Sequence, residues 1–144
     1  RWAPRTRETA DHSMPYVVGT AFLYGDVGEA AFTDEALQSP NIKALMPRIT
    51  VAEDPALTEA HPEQVPCRMT VTLNDGSKHV HELPYPKGHA KHPMSADEVT
   101  NKFHRLYAIY GSTAQADRVI DTVNSLNCSK TIMPLFETFH KSSI

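Results

Sequence analysis

Two residue types that organise many small folds are scarce in this 144-residue sequence, which has two cysteines and six glycines. Cys67 and Cys128 form neither a CxxC pair nor a dense framework, which excludes a secreted disulfide scaffold and suits free thiols in a reducing compartment. The glycines make no GxGxxG or P-loop pattern, so there is no nucleotide fingerprint, and no GxSxG elbow is present. An excess of one charge is missing too: 14 Lys+Arg stand against 17 Asp+Glu, a formal net charge of −3. Such a chain has no electrostatic footprint for a polyanion, and nucleic acid is not an expected partner. No apolar run approaches the ~20 residues that span a bilayer, so no membrane is expected either. The opening Arg1-Trp2-Ala3-Pro4-Arg5-Thr6-Arg7 has neither an initiator Met nor a signal-peptide core, from which we expect a fragment.

Eleven prolines are present, and they enforce element ends. Ser13 caps an expected helix from Met14 to Tyr24 with Pro15 in its first turn and Gly25 at its end. Its apolar residues run nearly all round, so burial is expected. Short helical turns are expected over Phe32–Leu37 and Asn41–Met46, divided by Pro40 and stopped by Pro47. The period then changes to two. A strand is expected over Arg48–Ala52, ended by Asp54-Pro55, and a clear hairpin over about 67–83 turns at Asn74-Asp75-Gly76-Ser77. Tyr85 to Met94 has no apolar period and reads as a loop. Ser95 with Glu98, and Ser112 with Gln115, read as capping boxes opening two amphipathic helices, before a short apolar segment with Ile132, Leu135, Phe136 and Phe139.

The expected fold class is α+β: a small antiparallel sheet packed by helices, preceded by a buried helix and followed by two or three amphipathic ones. The expected divisions are residues 1–46, 47–110 and 111–144.

His79 and His81 share one face of a strand, but two imidazoles do not make a zinc site, and the plainer reading is a solvated strand face. No metal is expected. Lys87, His89, Lys91 and His92 make a basic loop that could meet a carboxylate-rich ligand, or simply be solvated. The segment Arg7-Glu8-Thr9-Ala10-Asp11-His12-Ser13-Met14-Pro15-Tyr16 sets acid, imidazole, hydroxyl and phenol before a helix N-terminus, where amides and dipole favour an anion. Its plainer reading is a cap and a phenol seeking a partner.

The run Arg7 to Ser13 followed by Pro15-Tyr16-Val17-Val18 resembles a signature of the MmgE/PrpD family. Val51-Ala52-Glu53-Asp54-Pro55, Val71-Thr72-Leu73 with Asp75-Gly76, and Tyr85-Pro86-Lys87-Gly88-His89 with Pro93-Met94-Ser95 resemble later parts of that family in the same order. The likeness covers about residues 2 to 110 and is greater to the branch that dehydrates 2-methylcitrate than to the one that decarboxylates cis-aconitate. It implies a lyase of propionate catabolism in which this chain is the carboxy-terminal part, inactive without an amino-terminal helical part, usually in a homodimer. The 47–110 segment would be a lid-like domain. The resemblance implies a tricarboxylate substrate and no cofactor. It implies Tyr16 as a hydrogen-bond donor or proton-transfer group and His12 as its partner in catalysis, with Ser13, Lys87 and His89 as substrate contacts. The expected compartment is the cytoplasm, or the mitochondrial matrix in a eukaryote. Decarboxylation or isomerisation of a related polycarboxylate, and a non-catalytic interaction module, are the alternatives.

Overall fold

The computed structural model describes residues 3–139. The expected last segment, to residue 144, and the opening Arg1-Trp2 therefore extend beyond the described residues. The chain divides after Glu59 into two compact units. The observed division falls thirteen residues past the expected boundary after residue 46, and no second division sets residues 60–110 apart from the helices C-terminal to them.

Unit 1 is helical, with α1 (Arg7–Asp11), α2 (Met14–Tyr24), α3 (Asp34–Leu37), α4 (Pro40–Leu45) and α5 (Pro55–Glu59), and with 3₁₀ turns at Glu29–Phe32 and Met46–Arg48. Helix α2 starts and stops where the sequence places it. The Ser13 side chain accepts from the Tyr16 amide, Pro15 sits in the first turn, and Gly25 ends the helix at φ 75°, a left-handed conformation that glycine adopts without a Cβ penalty. Tyr16, Gly19 and Thr20, spaced three and four apart, form its buried stripe together with Pro15. Around them Ala10, Leu37, Ile42 and Met46 make a small core with Phe32 packed against it. Each large side chain there contributes on the order of 1.5–3 kcal/mol by leaving water.

Three expectations for unit 1 change. Only one face of α2 is buried: Met14, Phe22, Leu23 and Tyr24 are exposed, Phe22 at 60%. The expected strand over Arg48–Ala52 does not form. Met46–Arg48 closes as a 3₁₀ turn and residues 49–54 belong to no strand. Ile49 instead packs on α2, its Cδ1 lying 3.4 Å from where a Cβ on Gly19 would be. An extended segment becomes a strand only with a partner edge, and packing has used this one otherwise. The short helices α1 and α5 were not expected. Thr6 and Thr9 cap α1 reciprocally, and Asp54 Oδ1 accepts from the Ala56 amide at the start of α5.

Unit 2 holds β1 (Cys67–Thr72), β2 (Lys78–Leu83), α6 (Ala96–Tyr107), α7 (Thr113–Asn124) and α8 (Met133–Thr138). The strands pair antiparallel, Cys67 opposite Leu83 and Thr72 opposite Lys78. Gly76 at φ 85° supplies the turn, and Asp75 Oδ1 accepts from both the amide and the hydroxyl of Ser77. Both capping boxes are present, Ser95 with Glu98 and Ser112 with Gln115. Ala116 and Val119 of α7 are buried, and His104 of α6 meets Asp117 of α7 at 3.1 Å. The helices do not cover the hairpin as expected: Val71 is half-buried and every other strand residue is exposed. The α+β class holds, with a two-stranded antiparallel sheet. No helix among the described residues is long and apolar enough to cross a membrane.

Candidate active site

In unit 1 the expected site residues lie at the junction of α1 and α2. His12 is the C-terminal cap of α1, at φ −92° and ψ 12°, its amide donating back to Glu8 and Ala10 carbonyls. The backbone turns there, and the His12 side chain stays exposed. Ser13 is fully buried. Its Oγ receives the Tyr16 amide at 3.4 Å, so the hydroxyl serves as the helix cap. Arg7 reaches across to Glu29 at 3.0 Å and ties α1 to the following 3₁₀ turn.

Tyr16 is 1% exposed. Its hydroxyl donates to the Ala31 carbonyl at 2.5 Å, and its ring lies 6.2 Å from that of Phe32. Burial pushes the phenol above its ordinary value, against an opposing effect of the Thr20 hydroxyl. Thr20 Oγ1 itself is buried without a hydrogen bond of acceptable geometry among the described residues. Within unit 1, then, the phenol's proton is committed to a backbone acceptor fifteen residues away, and of the expected site residues His12, Ser13 and Tyr16 it is His12 that is exposed.

In unit 2, Lys87 and His89 lie together in the loop that joins β2 to α6. Lys87 Nζ meets Glu98 Oε1 at 2.9 Å, while Glu98 Oε2 accepts from the Ser95 amide at 2.7 Å. Those contacts hold the Glu98 carboxyl below its ordinary value, the Ser95 amide first and Lys87 second. Lys87 is thus a clamp between loop and helix. His89 stacks on Tyr85 with centroids 4.8 Å apart and planes 17° from parallel. Lys91 Nζ lies 5.3 Å from the centre of the same Tyr85 ring. His89 and His92 form an isolated antiparallel bridge. The sequence marks the basic character of this loop. It does not show that Tyr85 organises it, because nothing in a run of residues says which ring will stack on which.

His79 and His81 lie opposite Val71 and Met69 on the exposed hairpin. No group of three or more His, Cys, Asp or Glu among the described residues is placed to hold a metal ion.

The model of the MmgE/PrpD C-terminal domain matches residues 1–127. The chain belongs to the MmgE/PrpD family. Among its relatives in that family, a 2-methylcitrate dehydratase-like protein of Aspergillus oryzae is 29% identical over 123 residues, covering 79% of this chain and 24% of that protein. The 2-methylcitrate dehydratase of Salmonella typhimurium is 32% identical over 117 residues, 77% of this chain and 24% of that protein. The cis-aconitate decarboxylase of Mus musculus is 26% identical over 125 residues, 85% of this chain and 24% of that protein. The chain thus spans about a quarter of the length of the relatives it matches. These named MmgE/PrpD relatives are dehydratases and a decarboxylase, a lyase-type enzyme family.

Proposed function

We propose that this chain is the carboxy-terminal portion of a hydro-lyase that dehydrates 2-methylcitrate or a close tricarboxylate. It works joined to an amino-terminal helical part, without a cofactor, in a homodimer of the cytoplasm or mitochondrial matrix. The observation that carries the reading is the family segment Arg7–Val18, folded as two capped helices with the His12 imidazole exposed at their junction.

Dehydration breaks a C–H bond and a C–O bond while a C=C bond forms, the proton and the hydroxyl leaving as water. It needs a base for the proton, an acid for the hydroxyl, and donors that hold the carboxylates as charge develops. His12 is the unit 1 group we assign to the substrate. Tyr16 differs from the proton donor expected from the sequence: bonded to Ala31, it is a positioning residue that fixes α2 beneath His12. Ser13, spent on the helix cap, acts in the same way. For unit 2, described by itself, we assign His89 as a substrate contact on a loop that Lys87 anchors to α6. Exposed Phe22, Leu23 and Tyr24 supply apolar surface for the amino-terminal part to cover.

The test is turnover. The intact protein is expected to convert 2-methylcitrate and the 144-residue chain alone to be inactive; turnover by the chain alone overturns the reading. A second reading, decarboxylation of cis-aconitate, is favoured by the relative of that name, and carbon dioxide release by the intact protein would select it. Fold does not decide between these reactions.

A further inference from the structure

The hairpin turn Asn74-Asp75-Gly76-Ser77 plays no part in the dehydration chemistry, but it contains the chain's one Asp-Gly pair, and that pairing has covalent chemistry of its own. The Gly76 backbone nitrogen can attack Cγ of Asp75. An N–C bond forms, a C–O bond of the neutral carboxyl breaks, and water leaves, giving a five-membered succinimide. Water then adds back to either ring carbonyl. Opening at the former main-chain carbonyl sends the backbone through Cβ and Cγ, an isoaspartate with a free α-carboxylate. Glycine favours the first step, since it has no side chain to crowd the attacking nitrogen.

In the folded turn both reactants are held away from that step. The Gly76 amide donates to the Leu73 carbonyl at 3.0 Å, and the Leu73 amide donates to the Ser77 carbonyl at 2.9 Å. Asp75 Oδ1 accepts from the Ser77 hydroxyl at 2.7 Å and from the Ser77 amide at 2.9 Å. Those two donors, the hydroxyl first, hold the Asp75 carboxyl below its ordinary value. The group therefore stays a carboxylate, which has no oxygen ready to leave as water. Crowding is not the obstacle: residues 74–77 are exposed, and a Cβ on Gly76 would meet nothing within 4 Å. The block consists of hydrogen bonds and lasts only as long as the turn does. The sheet that maintains it has two strands, with every strand residue but Val71 exposed. Such a ribbon has little stability of its own and opens locally.

We propose that Asp75–Gly76 is a latent modification site, closed by Ser77 and Leu73 in the folded hairpin and converted to isoaspartate when the hairpin opens, where it becomes the substrate of a carboxyl methyltransferase. That enzyme moves a methyl group from the sulfonium of S-adenosylmethionine to a carboxylate oxygen of the isoaspartate, releasing S-adenosylhomocysteine. Conversion lengthens the main chain inside a turn that must bring Thr72 opposite Lys78, so it keeps the strands from pairing again and marks chains whose hairpin has unfolded. The site does not depend on the reaction proposed above.

The experiment incubates the full 144-residue chain at about pH 5, just above the ordinary carboxylate range, both folded and in urea beyond its unfolding transition. Isoaspartate is located by fragmentation mass spectrometry after proteolysis. The unfolded chain is expected to accumulate it at position 75, and the folded chain to do so more slowly by roughly tenfold or more, because several hydrogen bonds must open first. Equal rates overturn the proposal, as does an unfolded chain with no isoaspartate at that position. This comparison needs no variant.

Two variants test the closing contacts. Ser77→Ala removes the hydroxyl and should raise the folded rate by roughly threefold or more while leaving the rate in urea unchanged; Ser77→Thr keeps the hydroxyl and should match the parent. A folded Ser77→Ala chain that reacts no faster than the parent overturns the role given to Ser77. Finally, purified isoaspartyl methyltransferase with labelled S-adenosylmethionine should label the aged, unfolded chain and not the fresh one. Isoaspartate that is present by mass but takes no label overturns the assignment as a methyltransferase substrate.

Discussion

Tyr16 shows how one side chain divides between chemistry and packing. Its hydroxyl makes a 2.5 Å bond to the Ala31 carbonyl from a fully buried position, a bond whose net contribution to stability is about 1 kcal/mol. Tyr16→Phe in the 144-residue chain should lower its unfolding free energy by about that amount in urea titration. In the intact enzyme a positioning role predicts a fall in kcat of no more than about tenfold with the pH profile unmoved, whereas a phenol that transfers a proton contributes ~10²-fold or more. A hundredfold loss with an altered pH profile would return Tyr16 to the role first expected from the sequence. At the same scale, Gly25→Ala should cost roughly 1 kcal/mol, since the left-handed conformation that ends α2 is strained for any residue with a Cβ. An unchanged urea midpoint would show that the end of α2 bears no weight.

Among the elements, α6 is tied most tightly to charge. Its N-terminal box is closed by the Glu98 carboxylate, which the Ser95 amide and Lys87 hold below its ordinary value. A carboxyl whose folded value is depressed stabilises the fold above its unfolded value, and that contribution is lost as pH falls through the folded one. Unit 2 is therefore expected to lose helix on acidification below the ordinary carboxylate range of about 4, and Glu98→Gln should flatten that part of the profile in circular dichroism. Ser95→Ala should cost ~1 kcal/mol at neutral pH. If Glu98→Gln melts with the same acid profile as the parent, the box is not the pH-sensitive part. Both capping boxes, the helix end at Gly25 and the hairpin turn at Gly76 were legible because each depends on residues within four positions of one another. The strand expected at Arg48–Ala52 was not, because alternation marks a surface that can pair without naming a partner, and Ile49 found Gly19 instead.

For the molecule as a whole, the notable quantity is exposed apolar surface. Helix α2 is apolar nearly all round, yet Phe22 is 60% and Tyr24 58% exposed, and in unit 2 the hairpin lies uncovered. Exposed apolar side chains grouped on one element mark surfaces for association. Phe22→Glu in the 144-residue chain should reduce binding of an apolar dye and reduce self-association, while the same change in the intact enzyme should impair folding or activity. A parent chain that is already a monodisperse monomer with little dye binding would favour the autonomous interaction module over the catalytic portion.

The amino-acid sequence alone determined the caps of α2, α6 and α7, the hairpin and its turn, the α+β class, and the family to which residues 1–127 belong. These arise from local steric and hydrogen-bonding rules acting over a few residues, or from ordered motifs that are visible as strings. Only the tertiary structure decided which stripe of α2 is buried, that the Tyr16 phenol is bonded to Ala31, that Lys87 clamps Glu98, and that His89 stacks on Tyr85. Each of those outcomes depends on which donor meets which acceptor once the backbone has turned, and side-chain type and spacing do not specify that meeting.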